Sequence, residues 1–361
     1  MGKKTEQKDR VELPDKAKQI QSIIRSAARK FGEGAVLSGT TKISREVIPT
    51  GSVLVDVASG VGGIPLGIFA EIYGPESSGK TSLTLSIMGQ AQKKGLLVGF
   101  IDAEQSLSLD WAQTLGVNLD ELLFAQPSSF EEGIEIMKLM LQNGVQLIVF
   151  DSIAAAPVAA EVKGAAGDAV IGVKARIMSA TTSSLLPVLK QNNATVVFIN
   201  QIREKVGVMY GNPETTPGGK ALKFNASMRI RLSKKSLTEK GTKVGDEITV
   251  NFQKNKLAPP FKTATIRLIY GKGFDKTYEL AQAAVDTGVV YRRGAYYYPV
   301  WMDDDTKYQG LERLREEISD NPEFAEEIAA RIYKKLTSGE PIGPVEPSTE
   351  EDEKDEVGDV I

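Results

Sequence analysis

Residues 74–81 read Gly74-Pro75-Glu76-Ser77-Ser78-Gly79-Lys80-Thr81, and this octapeptide decides the fold. It fits the pattern G-x-x-x-x-G-K-[ST]. The apolar run 69–72 precedes it and a helical pattern follows, which is the strand–loop–helix context the pattern requires. The glycines let the backbone curl so that its N–H groups face phosphate oxygens. The helix that follows presents an N-terminus, where the dipole favours anions. Lys80 adds a mobile cation for the β- and γ-phosphates, and Thr81 offers a hydroxyl to Mg²⁺. Residues 74–81 with Ser82 form the candidate nucleotide-binding set. A chance match in a glycine-rich loop is the bland alternative, and the flanking strand and helix weigh against it.

Working outward, further apolar runs at 97–101, 147–150 and 195–199 alternate with helical patterns. Such alternation predicts βαβ units and a mostly parallel, buried sheet, an α/β fold. The later runs 228–232, 248–252 and 263–269 have short connections and read as antiparallel additions at one edge. Leu147-Ile148-Val149-Phe150-Asp151 would put the Asp151 carboxylate at the carboxyl edge of the sheet, beside the phosphate loop, as a partner for the metal. A strand-ending Asp that caps the next helix is the other reading. Phe100-Ile101-Asp102-Ala103-Glu104 ends a second strand, and Glu104 is the candidate to activate water, with Asp102 its competitor. Both could instead be acidic strand ends facing solvent. Gly60-Val61-Gly62-Gly63 is glycine-rich, but no strand runs into it, and it reads as a turn.

Composition narrows the chemistry. The 361 residues contain neither Cys nor His. Disulfides, thiolate metal sites and every imidazole mechanism are excluded, so a general base must be Asp, Glu, Lys or Tyr. The net charge of −3 is uneven. Residues 346–361 carry eight acids and one Lys, a net of −7, which leaves +4 on residues 1–345. A basic body with an acidic tail suits nucleic-acid work. No apolar run reaches the ~18 residues of a membrane span and no signal segment opens the chain, so a cytoplasmic location is expected. Residues 1–15 are polar and read as frayed. Residues 16–31 place Ile20, Ile23, Ile24 and Ala27 at helical spacing, with Phe31 a turn later and glycines beyond. A lone helix of that length must dock on the body or on another subunit. After about residue 277, a helical stretch 278–287, an aromatic segment 291–301 and helices around 308–337 form a smaller unit, the last helix starting at Asn321-Pro322. Residues beyond Pro341 have the composition of a disordered segment.

The motifs then converge on one family. The octapeptide 74–81, Ile101-Asp102-Ala103-Glu104, Phe198-Ile199-Asn200-Gln201-Ile202-Arg203, Gly211-Asn212-Pro213-Glu214-Thr215-Thr216, Gly218-Gly219, Ala221-Leu222-Lys223-Phe224 and Lys254-Asn255-Lys256 stand in the order and spacing of bacterial RecA, as does Thr50-Gly51-Ser52 upstream. The resemblance runs from about residue 20 to 340. It implies a RecA-type P-loop ATPase core (residues 45–276) with a mostly parallel central sheet flanked by helices. It adds an N-terminal docking segment (1–44), a small α+β C-terminal domain (277–340) that helps gather duplex DNA, and a regulatory acidic tail (341–361). ATP with Mg²⁺ would sit between subunits of a helical filament on single-stranded DNA that carries out homologous pairing and strand exchange with duplex DNA. An SOS-type repressor is a further implied partner.

Carried over residue by residue, Glu104 is similar to the carboxylate that activates water, and Lys80, Thr81 and Asp151 to the groups holding phosphate and metal. Gln201 resembles the residue that senses the γ-phosphate, and Lys254 and Lys256 the cations supplied across the subunit boundary, which act on developing charge as an arginine finger does. Trp111 stands where the family has a Tyr stacked on adenine; without the resemblance it reads equally as a core aromatic. Lys163 stands where the family has Glu, Ala169-Val170 where Ser-His is common, and Gln105 in place of a common His. These departures bear on the detailed contacts of the first loop, not on its role; the missing histidines and the unusual C-terminal segment point to a divergent branch, with a phage-encoded protein among the options.

Two stretches suit nucleic acid. Residues 161–172 are glycine-rich, and residues 202–219 hold Arg203, Lys205, Tyr210, Gly207, Gly211, Gly218 and Gly219. Loops with cations, glycine N–H donors and apolar side chains grip a backbone without reading sequence. Arg176, Lys220 and Lys223 are further candidates for phosphate contact. Disordered surface loops and a solvated charged face are the competing readings. A ring-shaped helicase or related motor would carry an arginine finger and lack the 211–216 motif. A non-hydrolysing nucleotide-binding regulator would lack Glu104.

Overall fold

The computed structural model describes residues 14–32, 35–39, 45–162, 168–204, 214–303, 305–338, 340 and 343. Two compact units divide the chain, Met1–Arg45 and Glu46–Ile361. In the first, helix α1 (Pro14–Phe31) follows the apolar periodicity. It ends where Gly32 turns to a φ of +92°, with its N–H donating to Ala28 O at 2.9 Å. Ile20, Ile23 and Phe31 are exposed on it.

The second unit is built on nine strands. In chain order these are β1 (Phe69–Gly74), β2 (Val98–Asp102), β3 (Leu122–Ala125), β4 (Leu147–Asp151) and β5 (Thr195–Gln201), then β6 (Met228–Glu239), β7 (Thr242–Asn255), β8 (Thr263–Ile269) and β9 (Gly273–Phe274). Their spatial order is β9-β8-β7-β6-β1-β5-β4-β2-β3. Strands β1 to β5 pair in parallel, as the alternating pattern predicts. Strands β1, β2, β4 and β5 are covered on both faces, so they read as largely apolar runs whose alternate residues enter opposite cores, whereas the edge strand β3 leaves Leu123 and Phe124 exposed. Ala70, Ile72, Leu147, Val149, Val197 and Ile199 face one core; Phe69, Ile148, Phe150, Val196 and Phe198 face the other. In the second, the Phe69 and Phe198 rings stack at 5.8 Å and Phe130 meets Phe150 edge-on at 5.7 Å.

One expectation needs correction. Strand β6 is not an antiparallel addition: it joins β1 in parallel, with Arg231 opposite Tyr73. Antiparallel pairing begins only at β6–β7 and continues through β8 and β9. A short connection fixes the pairing with the next strand in sequence but not with a strand that came long before.

Helix α2 (Val53–Ser59) precedes β1, and α3 (Lys80–Lys93), α4 (Leu109–Thr114), α5 (Phe130–Gln142), α6 (Ala159–Val162), α7 (Asp168–Gln191) and α8 (Ala221–Asn225) connect the strands from β1 to β6. Gly60, expected in a turn, caps α2 with a φ of +69°. Farther on, α9 (Lys276–Asp286), α10 (Gly310–Asp320) and α11 (Pro322–Ser338) surround the hairpin of β10 (Val290–Arg293) and β11 (Tyr296–Pro299). Trp301 packs on Phe324 at 5.9 Å. Most of the 341–361 tail and residues 1–13 lie outside the described residues.

Candidate nucleotide site and nucleic-acid interface

The octapeptide leaves the carboxyl end of β1 and runs into α3, where parallel strands deliver their loops to one edge. Gly79 takes a φ of +87°, and a Cβ there would strike the Ile248 side chain. The left-handed backbone is what calls for glycine here, and the Ile248 methyl adds crowding. Lys80 is nearly buried, and its ammonium donates to Pro75 O at 2.6 Å. Burial holds the Lys80 ammonium below its ordinary pKa, against the opposing pull of Asp151, Glu104 and Glu76.

Asp151 ends β4 two strands away from β1. Thr81 Oγ1 donates to Asp151 Oδ2 at 2.7 Å, 70 residues distant in sequence. Burial pushes the Asp151 carboxyl up to about 6, although the Thr81 hydrogen bond pulls the other way. The helix-capping reading of Asp151 is not supported, because the Ala155 N–H donates to Ser152 Oγ instead. Thr81 and Asp151 present two oxygens, and among the described residues no three acids are grouped so as to hold a metal by themselves. Two oxygens suit a hard cation that keeps waters and phosphate oxygens as its remaining ligands. Ser78 Oγ is buried in the loop without a partner among the described atoms, as a loop shaped for a phosphate leaves it.

The two carboxylates at the end of β2 separate. Asp102 is buried and accepts from the Ser106 and Leu107 N–H groups at 3.4 and 3.2 Å and from Gln126 at 3.2 Å. It is spent on folding the loop after the strand. Glu104 is exposed, and its N–H donates to Asp151 O at 3.2 Å. That places it within electrostatic reach of both Asp151 and Lys80. Gln201, at the end of β5, lies directly opposite Gly74. Trp111 is half-buried against the core, and its indole N–H donates to Ser82 Oγ at 3.0 Å on the first turn of α3. An open pocket of about 360 Å³ is lined by residues 77–82 and by Lys234, Asp246 and Tyr270. These last three escaped the sequence reading, since a Tyr at a strand end before glycines carries no distinguishing signal.

Lys254 and Lys256 are not brought to the loop within one chain. Lys254 sits opposite Arg229, which pairs with Glu71 near the start of β1, whereas the loop leaves the other end of that strand. The Lys254 ammonium donates to Lys223 O and Phe224 O at 2.7 and 2.9 Å, and Lys256 to Phe224 O at 3.3 Å. Burial, then repulsion from Lys256 and Arg229, lowers the Lys254 pKa.

The candidate DNA elements meet elsewhere. Residues 203–204 pair antiparallel with 214–215, forming a neck for the second loop. Gly218 and Gly219, with φ of +87° and +74°, lie close against Ile153, Met178 and Ala175. The segment leaving the second loop therefore abuts α7, which follows the first. Between them lies a pocket of about 620 Å³ lined by Arg203, Lys174 and Glu161 among others. Arg203, Arg176 and Lys220 are exposed. Lys174, not anticipated from sequence, donates to Ile153 O and Ala156 O at 3.0 and 2.6 Å. Lys163, Lys205 and Tyr210 lie outside the described residues.

A phosphate loop at the carboxyl edge of a parallel sheet, with a threonine–aspartate pair across two strands and a free glutamate beside it, defines a P-loop nucleoside triphosphatase. Residues 18–275 match the family described as the RecA N-terminal domain. The chain is 43% identical over 341 residues to Protein RecA of Streptomyces ambofaciens, covering 93% of this chain and 90% of that one. It is 42% identical over 339 residues to Protein RecA of Thermus aquaticus, covering 91% and 99%, and 44% over 329 residues to that of Thermotoga neapolitana, covering 88% and 94%. The chain belongs to the bacterial RecA family. Its activity is that of a single-stranded-DNA-dependent ATPase and strand-exchange recombinase, which sets aside the helicase and regulator readings.

Proposed function

We propose that this recombinase binds ATP with Mg²⁺ at the 74–81 loop, at a boundary between subunits of a helical filament on single-stranded DNA. Bound nucleotide switches the filament into the form that grips unpaired strands and pairs them with homologous duplex. The observation that carries the reading is the Thr81–Asp151 contact at 2.7 Å beside Lys80 and the exposed Glu104. Loop N–H groups and Lys80 hold the phosphates, Trp111 stacks on the base, and Glu104 takes a proton from the attacking water. Thr81 and Asp151 would hold Mg²⁺, which when bound neutralises charge on the phosphate oxygens. Gln201, opposite the first residue of the loop, reports nucleotide to the second DNA loop that begins one residue later. Lys254 and Lys256, remote from the loop of their own chain, are supplied to the neighbour's nucleotide, so hydrolysis requires assembly.

Arg203, Arg176, Lys205, Tyr210, Lys220 and the Gly218-Gly219 pair form the single-strand grip. We assign residues 1–44 to subunit docking, 277–340 to gathering duplex DNA and 341–361 to regulating it, in the cytoplasm, with an SOS-type repressor as a further partner. No described helix is long and apolar enough to cross a membrane. ATP turnover measured with and without single-stranded DNA, with electron microscopy of the same samples, tests the reading. Stimulated turnover with helical filaments is expected; a protein that stays monomeric with nucleotide, Mg²⁺ and oligonucleotide together refutes it.

A further inference from the structure

Two arginines on one face of β6 tie the second DNA loop to the strand that carries the phosphate loop. Arg231 lies opposite Tyr73, the residue before Gly74, and Arg229 lies opposite Glu71. Arg231 forks Glu214, with Nε and Nη2 donating to the two carboxylate oxygens at 2.9 and 2.6 Å. Glu214 sits in the outgoing limb of the loop's neck, paired with residue 204. Two residues back, the fully buried Glu71 accepts from Arg229 Nε at 2.5 Å and from Asn200 Nδ2 at 3.0 Å. The same Asn200 amide donates to Pro217 O at 3.0 Å, and Asn200 Oδ1 accepts from the Gln201 N–H. The outgoing limb of the loop is thus fastened at two points, Glu214 and Pro217, to strands that end at the nucleotide site.

The two fastenings differ in kind. Glu71 is out of water and its loss would strand the Arg229 charge, so that half belongs to the core. The Arg231–Glu214 pair is about three-quarters buried and bidentate, with each side chain replaceable by a neutral one of similar size. It restrains the loop without holding the fold.

We propose that Arg231 is a positioning residue for DNA-stimulated hydrolysis: by forking Glu214 it pre-orders the neck of the second loop against the strand beside the phosphate loop. DNA then meets a limb whose ordering cost is already met, and the loop's engagement is transmitted to the end of β1. This rests on the reading of residues 202–219 as a DNA grip. Without the fork, DNA must order the limb itself, which weakens apparent DNA affinity more than it slows the saturated enzyme.

The test uses the full-length protein and poly(dT). Arg231→Gln is expected to raise the poly(dT) concentration for half-maximal ATPase about tenfold, with thermal midpoint and DNA-independent turnover unchanged, and Glu214→Gln to raise that concentration by a similar factor. The double variant Arg231→Glu/Glu214→Arg, which restores the pair in reverse, is expected to recover most of that loss. An unchanged half-saturating concentration in Arg231→Gln overturns the proposal. So does a charge-reversed pair that fails to recover, or a loss that falls equally on DNA-independent turnover. Arg203→Ala separates the two readings: if it leaves poly(dT) dependence intact while Arg231→Gln does not, the DNA-grip assignment fails.

Discussion

Replacing Glu279 with Gln should make the protein more stable near neutral pH, by an amount that grows with pH. Glu279 lies on α9 and is fully buried, facing Asp56 of α2, which in turn accepts from the Tyr333 hydroxyl of α11 at 2.8 Å. Asp56 has three donors, Thr50 N–H and Oγ1–H at 2.7 Å each and Tyr333. Glu279 has a hydrogen bond from Ser52 but leaves Oε1 without a partner. Burial pushes the Asp56 carboxyl up to about 7, against its three donors, so Asp56 ionises before Glu279, which keeps its proton longest. Burial, with repulsion from Asp56 and Asp275, pushes the Glu279 carboxyl from 4.5 up to about 8, against the pull of the Ser52 hydrogen bond and, more weakly, of Lys276. Between those limits the unfolded chain has lost a proton that the folded chain retains. Stability therefore falls as pH rises through that window, by about 1.4 kcal/mol per unit. Asp56 titrates in both proteins, so from pH 5 to 7.5 the wild type should lose about 3 kcal/mol more than the glutamine variant, which has no proton to lose at position 279. Urea unfolding of both proteins across that range measures it. Two stability profiles that run parallel with pH would refute the assignment of a neutral, buried Glu279.

Glu104→Ala should still bind ATP and keep filaments assembled while turnover drops by at least ~100-fold, since the proposed general base is lost; parental hydrolysis would place the base elsewhere. Trp111→Ala should weaken nucleotide binding by about tenfold, with Trp111→Phe largely restoring it, as measured by titration with a fluorescent ATP analogue. Equal affinity in all three would leave Trp111 a core aromatic. Removing residues 346–361 deletes a net charge of −7 and should tighten duplex binding, most at low salt. Unchanged affinity across a salt titration would leave the tail a solubility device.

Much of the nucleotide site was legible because its chemistry is local. The run into Gly74, the spacing to Lys80 and the strand ending at Asp151 each carry their meaning within about ten residues, and parallel strands bring such ends to one edge. The choice between Asp102 and Glu104 was not legible: both end the same strand, and only the Ser106 and Leu107 N–H groups show that Asp102 is committed to the loop. The parallel pairing of β6 with β1 was missed for a related reason, since their partners are about 158 positions apart. Tyr270, Lys234 and Lys174 matter by where the fold carries them, and nothing beside them in the chain marks it.

By itself, the sequence determined the phosphate loop, the parallel core and the carboxylate chemistry that a chain without His or Cys must use. Those follow from short-range geometry, from which residue types can cradle phosphate and from which can move a proton. Only the tertiary structure decided that Asp102 is bound up in its own loop, that Lys254 and Lys256 stand away from theirs, and that Arg231 reaches Glu214. Each of these depends on distances between segments far apart in the chain, which packing sets and local propensity does not.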